Sequence, residues 1–444
     1  MATKLPRVVI VGGGFGGLNA ALGVSRLAVR LTLIDRKNHH TFQPLLYQVA
    51  TAGLSPGEIT APIRGILGGR RNAEVLLGDV SGFDLQRGIV QFDNIELQFD
   101  YLVVAAGASH SYFGHEAWQP LAPGLKTIED ALEIRRRVLL AFELAERQAI
   151  ATGQHEPLNI VVVGGGPTGV ELAGTVAEIA RHSLAHDFRA IDPKRTRVIL
   201  IEGGPRVLAA YPPDLSASAQ RQLERLGVEV HTSAMVTKVE PGLVGFGDKT
   251  MSSAVTLWAA GVAASPLGRM LGVPCDKSGR VIVNPDLSIP GHPNVFVIGD
   301  LAAAVGKDGK LLPGLAPVAM QEGRYLAHAV RADLRREPRK PFHFVDKGTM
   351  ATIGRAAAVA EIGKLHFSGL LAWMLWLFVH IMYLVGFRNR LLVMIEWAWS
   401  YLTYERSARL ITGSATLPGF TGAPPTEVEV GVLPRRSDSG EAAD

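Results

Sequence analysis

Two stretches far apart in the chain carry the same pattern of apolar and small residues. Residues 8–22 read VVIVGGGFGGLNAAL and residues 160–174 read IVVVGGGPTGVELAG. In each, a four-residue apolar run ends in a glycine cluster and leads into a helix-compatible segment, the opening of a buried parallel strand and its crossover helix. The correspondence continues downstream. LTLID at 31–35 matches VILIE at 198–202, both strands ending in an acid, and YLVVAAGAS at 101–109 matches TLWAAGVAAS at 256–265, both ending in Ala-Ala-Gly before a short extension. Three landmarks in the same order predict an α/β protein with two Rossmann-like nucleotide-binding units.

After Pro290 the pattern changes. NVFVIGD at 294–300 predicts one more buried strand ending in Gly-Asp, followed by a Gly- and Pro-containing loop and a helix from about 318 to 336. A basic, Pro-bounded linker (RREPRKP, 335–341) precedes a strand pair around 348–362 and then a hydrophobic segment at 365–404. Residues 414–444 are rich in Gly, Pro, Ser, Thr and acids with little periodicity, and read as a disordered tail.

The 444 residues are 47% hydrophobic and 19% charged, enough for two or three cores and incompatible with a wholly disordered chain. A formal net charge of +4 is too small to argue for nucleic-acid binding. The positive excess is concentrated in 331–413, where residues 365–387 contain no Asp, Glu, Lys or Arg and four of the six tryptophans (Trp373, Trp376, Trp397, Trp399) follow closely on one another. Membrane contact through about 365–404 is the expectation. The run 365–387 exceeds the ~20 residues that span a bilayer; His380 near its middle and the Arg388-Asn389-Arg390 break count against spanning, and aromatics with flanking arginines also suit helices lying in the headgroup region. A buried dimer interface, and with it a homodimer, is a further reading. No secretory signal opens the chain, so the bulk of the protein is expected in the cytoplasm.

One cysteine, Cys275, rules out an intramolecular disulfide, a four-cysteine metal site and a dithiol redox pair. No metal constellation is expected. His39 and His40, His110 and His115, and His182 and His186 read as surface groups. Redox chemistry, if present, belongs to a bound cofactor.

The first cluster supplies Gly12-x-Gly14-x-x-Gly17 between strand and helix: Gly12 for the tight turn, Gly14 for backbone approach to a pyrophosphate, Gly17 for close helix packing. Asp35, ending the second strand, is positioned to accept from an adenosine ribose. The second cluster repeats this with Gly164, Gly166, Gly169 and Glu202; the acid lies farther along than the usual ~20 residues, with 181–196 reading as an insertion. A carboxylate there accepts from the 2′-hydroxyl of NADH and repels the 2′-phosphate of NADPH, although Arg206 lies close by. Glu171 stands where the first copy has Asn19. It either complements the helix N-terminal dipole or serves as a polar group near the nicotinamide.

These residues resemble the two-dinucleotide-binding-domain flavoproteins and, within them, the type II NADH dehydrogenases. The resemblance covers about 1–410 and rests on GGGFGG (12–17), FQPLLYQV (42–49), GGGPTGVELAGTVAEI (164–179), WAAGV (258–262), VIGD (297–300), APVAMQ (316–321) and KGTMATIGR (347–355). It implies FAD bound by residues 1–115 together with 290–350, NADH bound by 116–289, a membrane-binding region at 351–413 and the tail at 414–444. By the same resemblance Gly12, Gly14, Gly17 and Asp35 hold the FAD adenosine and pyrophosphate, Val80 lies on the adenine, Leu45 and Leu46 beside Pro44 pack the isoalloxazine, and Asp300 binds the ribitol region. Gly261 approaches the nicotinamide. Glu171, Gln321 and Lys347 become the catalytic candidates. The family's Ala-Gln-x-Ala-x-Gln segment reads Ala316-Pro317-Val318-Ala319-Met320-Gln321 here, so quinone contacts fall to Gln321, Lys347, backbone or water.

The implied activity is non-proton-pumping transfer of a hydride from NADH to FAD and of two electrons to a membrane quinone, by a peripheral or monotopic protein on the cytoplasmic face of the inner (plasma) membrane. Sulfide:quinone and ferredoxin-type reductases of the same superfamily are the enzymatic alternatives, the former disfavoured by the single cysteine. A non-catalytic FAD- and NADH-binding redox sensor is the alternative from another class.

Overall fold

The computed structural model describes residues 5–403, 406 and 408–420. Its two largest sheets are copies of one plan. In the first, six strands run in the order Ser288–Ile289, His292–Val297, Tyr101–Val104, Arg7–Val11, Arg30–Asp35, Ala73–Leu77, parallel except for the short edge strand Ser288–Ile289. In the second, Val228–His231, Arg197–Ile201, Asn159–Val163 and Val255–Trp258 are all parallel. In both, the glycine-cluster strand is central, with the acid-ending strand on one side and the Ala-Ala-Gly strand on the other. Val8 lies between Leu31 and Tyr101 as Ile160 lies between Val198 and Val255. These apolar runs are continuous because both faces of each sheet are covered, and Val8, Val9, Ile10, Ile160, Val161 and Val162 are fully buried.

The insertion expected between the second glycine helix and its acid strand is present. Helix Pro167–Glu178 passes into the π-turn Ile179–Ser183, and the chain then loops through Pro193–Arg195 to strand Arg197–Ile201. The Glu146 carboxylate accepts from the backbone amides of Arg189, Ala190 and Ile191, which holds that loop in place.

The C-terminal part differs in detail from the sequence reading. The strand pair is a three-stranded antiparallel sheet, Thr349–Gly354, Ala357–Ile362 and Leu365–Ser368, so the first residues of the uncharged run form an edge strand. Helices Leu370–Tyr383 and Phe387–Thr403 follow. The first, at 14 residues, is about 21 Å long, short of the ~30 Å hydrocarbon core. Among the described residues no helix is long and apolar enough to cross a membrane.

The tryptophans divide between two roles. Trp376 (1% exposed) and Trp397 (5%) are core residues, and the Trp397 indole donates to Gln48 Oε1 at 2.7 Å; Trp399 is 56% exposed. His380 is on the inner side, its ring stacked on Trp376 and its Nδ1 2.7 Å from the Trp376 carbonyl; burial lowers it to about 4. Residues 414–420, expected in the tail, lie against helix Ile128–Thr152 instead. Arg136 Nη1 donates to the carbonyls of Ser414 (2.6 Å) and Thr416 (2.9 Å), and Leu417 is buried. The remainder of that tail, 421–444, lies outside the described residues.

The C-terminal sheet sits directly on the second glycine helix. A Cβ on Gly174 would stand 1.7 Å from the Ile353 carbonyl oxygen. Gly174→Val should therefore force helix and sheet apart at a cost of roughly 2–3 kcal/mol or more, read as a clear drop in thermal unfolding temperature. An unchanged transition would show that this close packing contributes little.

Candidate functional site

The two glycine turns are superimposable in their constraints. Gly12 (φ +102°) and Gly164 (φ +104°) adopt backbone conformations that side-chain-bearing residues avoid, and a Cβ on Gly17 or Gly169 would stand 1.8 Å from the carbonyl oxygen of Gly12 or Gly164 respectively. In front of Gly14 and Gly166 the space is open, with nothing within 4 Å of a built Cβ. Neither helix has a side-chain N-cap, so the first-turn N–H groups face that space, the arrangement that receives phosphate.

Asp35 and Glu202 occupy equivalent places despite their different sequence spacing. Asp35 Oδ2 accepts from Gly13 N and Glu202 Oε2 from Gly165 N, each at 2.5 Å. The second oxygens accept from Lys37 N (2.7 Å) and Gly204 N (2.6 Å). Arg206 is turned into its own loop, donating to the Ala209 carbonyl. Val80 follows the strand whose Leu77 pairs with Asp35, its side chain in the core. Asp300 lies in the turn Gly299–Leu301 facing Gly314.

Sequence reasoning missed Glu322. It is 1% exposed, accepts from Gly299 N at 2.5 Å beside Asp300, and burial pushes its carboxyl up to about 8. The signal was available: an acid at a position in register with buried Val318, Ala319, Gly323 and Leu326 of one helix.

Between the two units lies a cleft of about 120 Å³. Gln43, Leu46 and Tyr47 wall it from the first unit; Thr168 and Glu171 from the second glycine helix; Trp258, Ala259, Gly261 and Val262 from the second Ala-Ala-Gly turn; His110, Leu125 and Lys126 from the connecting segment. Leu45 is behind this wall, fully buried. Glu171 is half-buried at the cleft wall, and desolvation pushes its carboxyl up to about 8. It raises the neighbouring Tyr47 phenol in turn, which burial already pushes well above its ordinary value and whose oxygen accepts from Gln48 at 2.8 Å.

The other two catalytic candidates do not join Glu171. Both ends of the Gln321 amide are occupied by backbone, Nε2 donating to Val345 O (2.9 Å) and Oε1 accepting from Val345 N (3.0 Å), because an irregular segment needs both a donor and an acceptor there. Lys347 is exposed in the turn before strand Thr349–Gly354. Two histidines expected at the surface are not there: His40 is 3% exposed with Nδ1 3.0 Å from the Gly13 carbonyl, and His110 lines the cleft. His115, His182 and His186 are exposed. Among the described residues no cluster of His, Cys, Asp or Glu could hold a metal.

Comparison with known proteins follows the same division of the chain. Residues 6–323 match the pyridine nucleotide-disulphide oxidoreductase family and residues 347–404 the NDH2 C-terminal domain. The chain is 47% identical over 424 residues to the type II NADH:quinone oxidoreductase NdhA of Mycobacterium tuberculosis, covering 91% of this chain and 89% of that protein. It is 46% identical over 422 residues to Ndh, a type II NADH:quinone oxidoreductase of the same organism, covering 91% and 90%. The structure of NDH2 from Plasmodium falciparum in complex with NADH shares the fold with a TM-score of 0.84 at 21% identity, covering 92% of this chain and 100% of that one.

Proposed function

The chain belongs to the type II NADH:quinone oxidoreductases, and we propose that it works as a peripheral membrane enzyme, passing two electrons from NADH to a membrane quinone on the cytoplasmic side. Its cofactors are FAD and NADH. The observation that carries the reading is a cleft walled by residues of both nucleotide-binding units. Flavin-loaded protein should oxidise NADH when quinone is added; binding of NADH without quinone-dependent turnover would leave a redox sensor as the better reading.

The first turn fits FAD, since open space before Gly14 and uncapped helix amides suit a pyrophosphate. Gly12, Gly14, Gly17 and Asp35 would hold its adenosine half, with Val80 at the adenine, Leu45 and Leu46 behind the ring and Asp300 at the ribitol. Bound there, the flavin supplies the chemistry that takes up a hydride and releases electrons in pairs or singly. Gly164, Gly166, Gly169 and Glu202 would hold NADH, with Gly261 beside its nicotinamide. The chain's contribution is orientation and exclusion of water. Glu171 adds a proton held at the cleft wall, uncharged below about pH 8. Cys275, whose thiol burial raises, is no redox-active thiolate, which counts against sulfide chemistry.

Attachment to the membrane rests on the exposed apolar side chains of the two C-terminal helices. Leu370, Leu371, Met374, Phe378 and Met382 on one helix and Phe387, Leu391, Met394, Ile395, Trp399 and Leu402 on the next are 43–82% exposed. Most of them recur every three to four residues, the spacing that gathers side chains on one side of a helix. Large apolar side chains concentrated this way suit a lipid surface.

Three outcomes are expected. Activity should fall as pH rises through about 8, where Glu171 loses its proton and places a charge in the cleft; Glu171→Gln, which stays neutral, should lack that limb. Glu202→Gln should narrow the NADH over NADPH preference in kcat/KM by roughly tenfold, as a charged-acceptor hydrogen bond is worth ~1.5 kcal/mol or more. The double substitution of Phe378 and Leu402 by Glu, at positions 64% and 82% exposed, should abolish co-sedimentation with anionic phospholipid vesicles at unchanged thermal stability. Retained binding would assign the anchor to another surface.

A further inference from the structure

His110 was expected at the surface, and neither the glycine turns nor Glu171 account for its position. It ends the strand Ala108–His110, which pairs antiparallel with Val262–Ala264 so that His110 faces Val262, one residue past Gly261. The ribbon joins the two units just beyond their Ala-Ala-Gly turns. Trp258 Nε1 secures it by donating to the Ser111 carbonyl at 2.8 Å.

The ring is fixed on two sides. Nε2 lies 3.1 Å from Asp130 Oδ2, and a carboxylate oxygen can only accept, so Nε2 carries a hydrogen. Asp130 is itself immobilised as the capping-box residue of helix Ile128–Thr152, accepting from the amides of Lys126 and Thr127 at 2.9 Å each. Gly124 lies over the ring face: a Cβ there would stand 2.3, 2.4 and 2.7 Å from Nδ1, Cε1 and Cγ, too nearly equal for an approach along the ring plane. Gly124 therefore does not occupy the in-plane lone-pair position of Nδ1. Nδ1 has no hydrogen-bond partner among the described residues, and the residue lines the cleft.

We propose that His110, oriented by Asp130, positions the nicotinamide by accepting a hydrogen bond on Nδ1 from the carboxamide NH₂. This rests on the reading of the cleft as the NADH site. With its hydrogen on Nε2, the ring offers Nδ1 as an acceptor where the ligand carries a donor, and the ribbon places it beside Gly261. His110 is thus a positioning residue, acting on ring orientation before hydride transfer.

The test uses two oxidised dinucleotides that bind without reacting. Flavin-loaded native protein and His110→Ala are titrated calorimetrically with NAD⁺ and with 3-acetylpyridine adenine dinucleotide, whose methyl ketone has no N–H to donate. His110→Ala should bind NAD⁺ roughly five- to tenfold more weakly, the loss of one hydrogen bond, and bind the acetylpyridine analogue within twofold of native. His110→Asn, which keeps a donor toward Asp130 and an acceptor toward the cleft, should recover part of the NAD⁺ affinity, and its flavin spectrum and unfolding temperature provide a second folded variant if the alanine form is unstable. Equal weakening for both dinucleotides, or none for either, overturns the proposal. Native NADH oxidation with added quinone is measured in parallel: its absence sinks the reading of the cleft itself, whereas its presence beside a non-selective His110→Ala sinks only the role of His110.

Discussion

The approach of a helix to the end of its central strand sets the position of nearly everything in the cleft. Where Gly169 meets the Gly164 carbonyl, no Cβ fits, and Gly17 meets Gly12 in the same way. That contact seats the first helical turn against the strand end, and Glu171, two residues on, is carried with it to the cleft wall. The carboxylates of Asp35 and Glu202 complete the arrangement by holding the amides of Gly13 and Gly165 from the neighbouring strand. Turn, helix and adjacent strand thereby form one rigid corner, built twice.

The C-terminal part is joined to this corner rather than appended to it. Glu178, at the end of the second glycine helix, accepts from Arg355 N of the C-terminal sheet and pairs with Arg406 at 3.3 Å. Arg406 also donates to the Thr51 carbonyl just after the segment that walls the cleft. Trp397 reaches Gln48 in that same segment. Phe42 meets His380 on one side and Phe15 of the first glycine helix on the other. The C-terminal helices are therefore packed onto Phe42 and Gln48, which flank the cleft wall formed by Gln43, Leu46 and Tyr47, and a displacement of one must be accommodated by the other.

What could be read from the sequence was whatever is encoded locally. The repeat, the turn glycines and the strand-ending acids each depend on neighbours within one βα unit, so motif and spacing revealed them, and Glu202 was legible because the loop before it is an insertion that leaves the sheet order intact. Contacts between distant segments were not legible. Gln321 has a suitable side chain in a suitable motif, yet Val345 claims both of its polar ends. His110 has no motif; only the pairing of two short strands brings it to Gly261. The tryptophans looked alike as composition, and packing alone separates the buried Trp376 and Trp397 from the exposed Trp399.

Glu171 shows how magnitude decides between two roles the sequence left open. A carboxylate complementing a helix dipole is worth about 0.3–1 kcal/mol and must be ionised to act. Burial raises this carboxyl from 4.5 to about 8, a preference for the protonated form worth several kcal/mol. The larger effect wins, and the group is a neutral acid at physiological pH. Desolvation outweighs the one opposing contact, a hydrogen bond with the Thr352 backbone of the C-terminal sheet, which by itself favours the charged form. The burial that removes its charge also keeps its proton at the cleft wall.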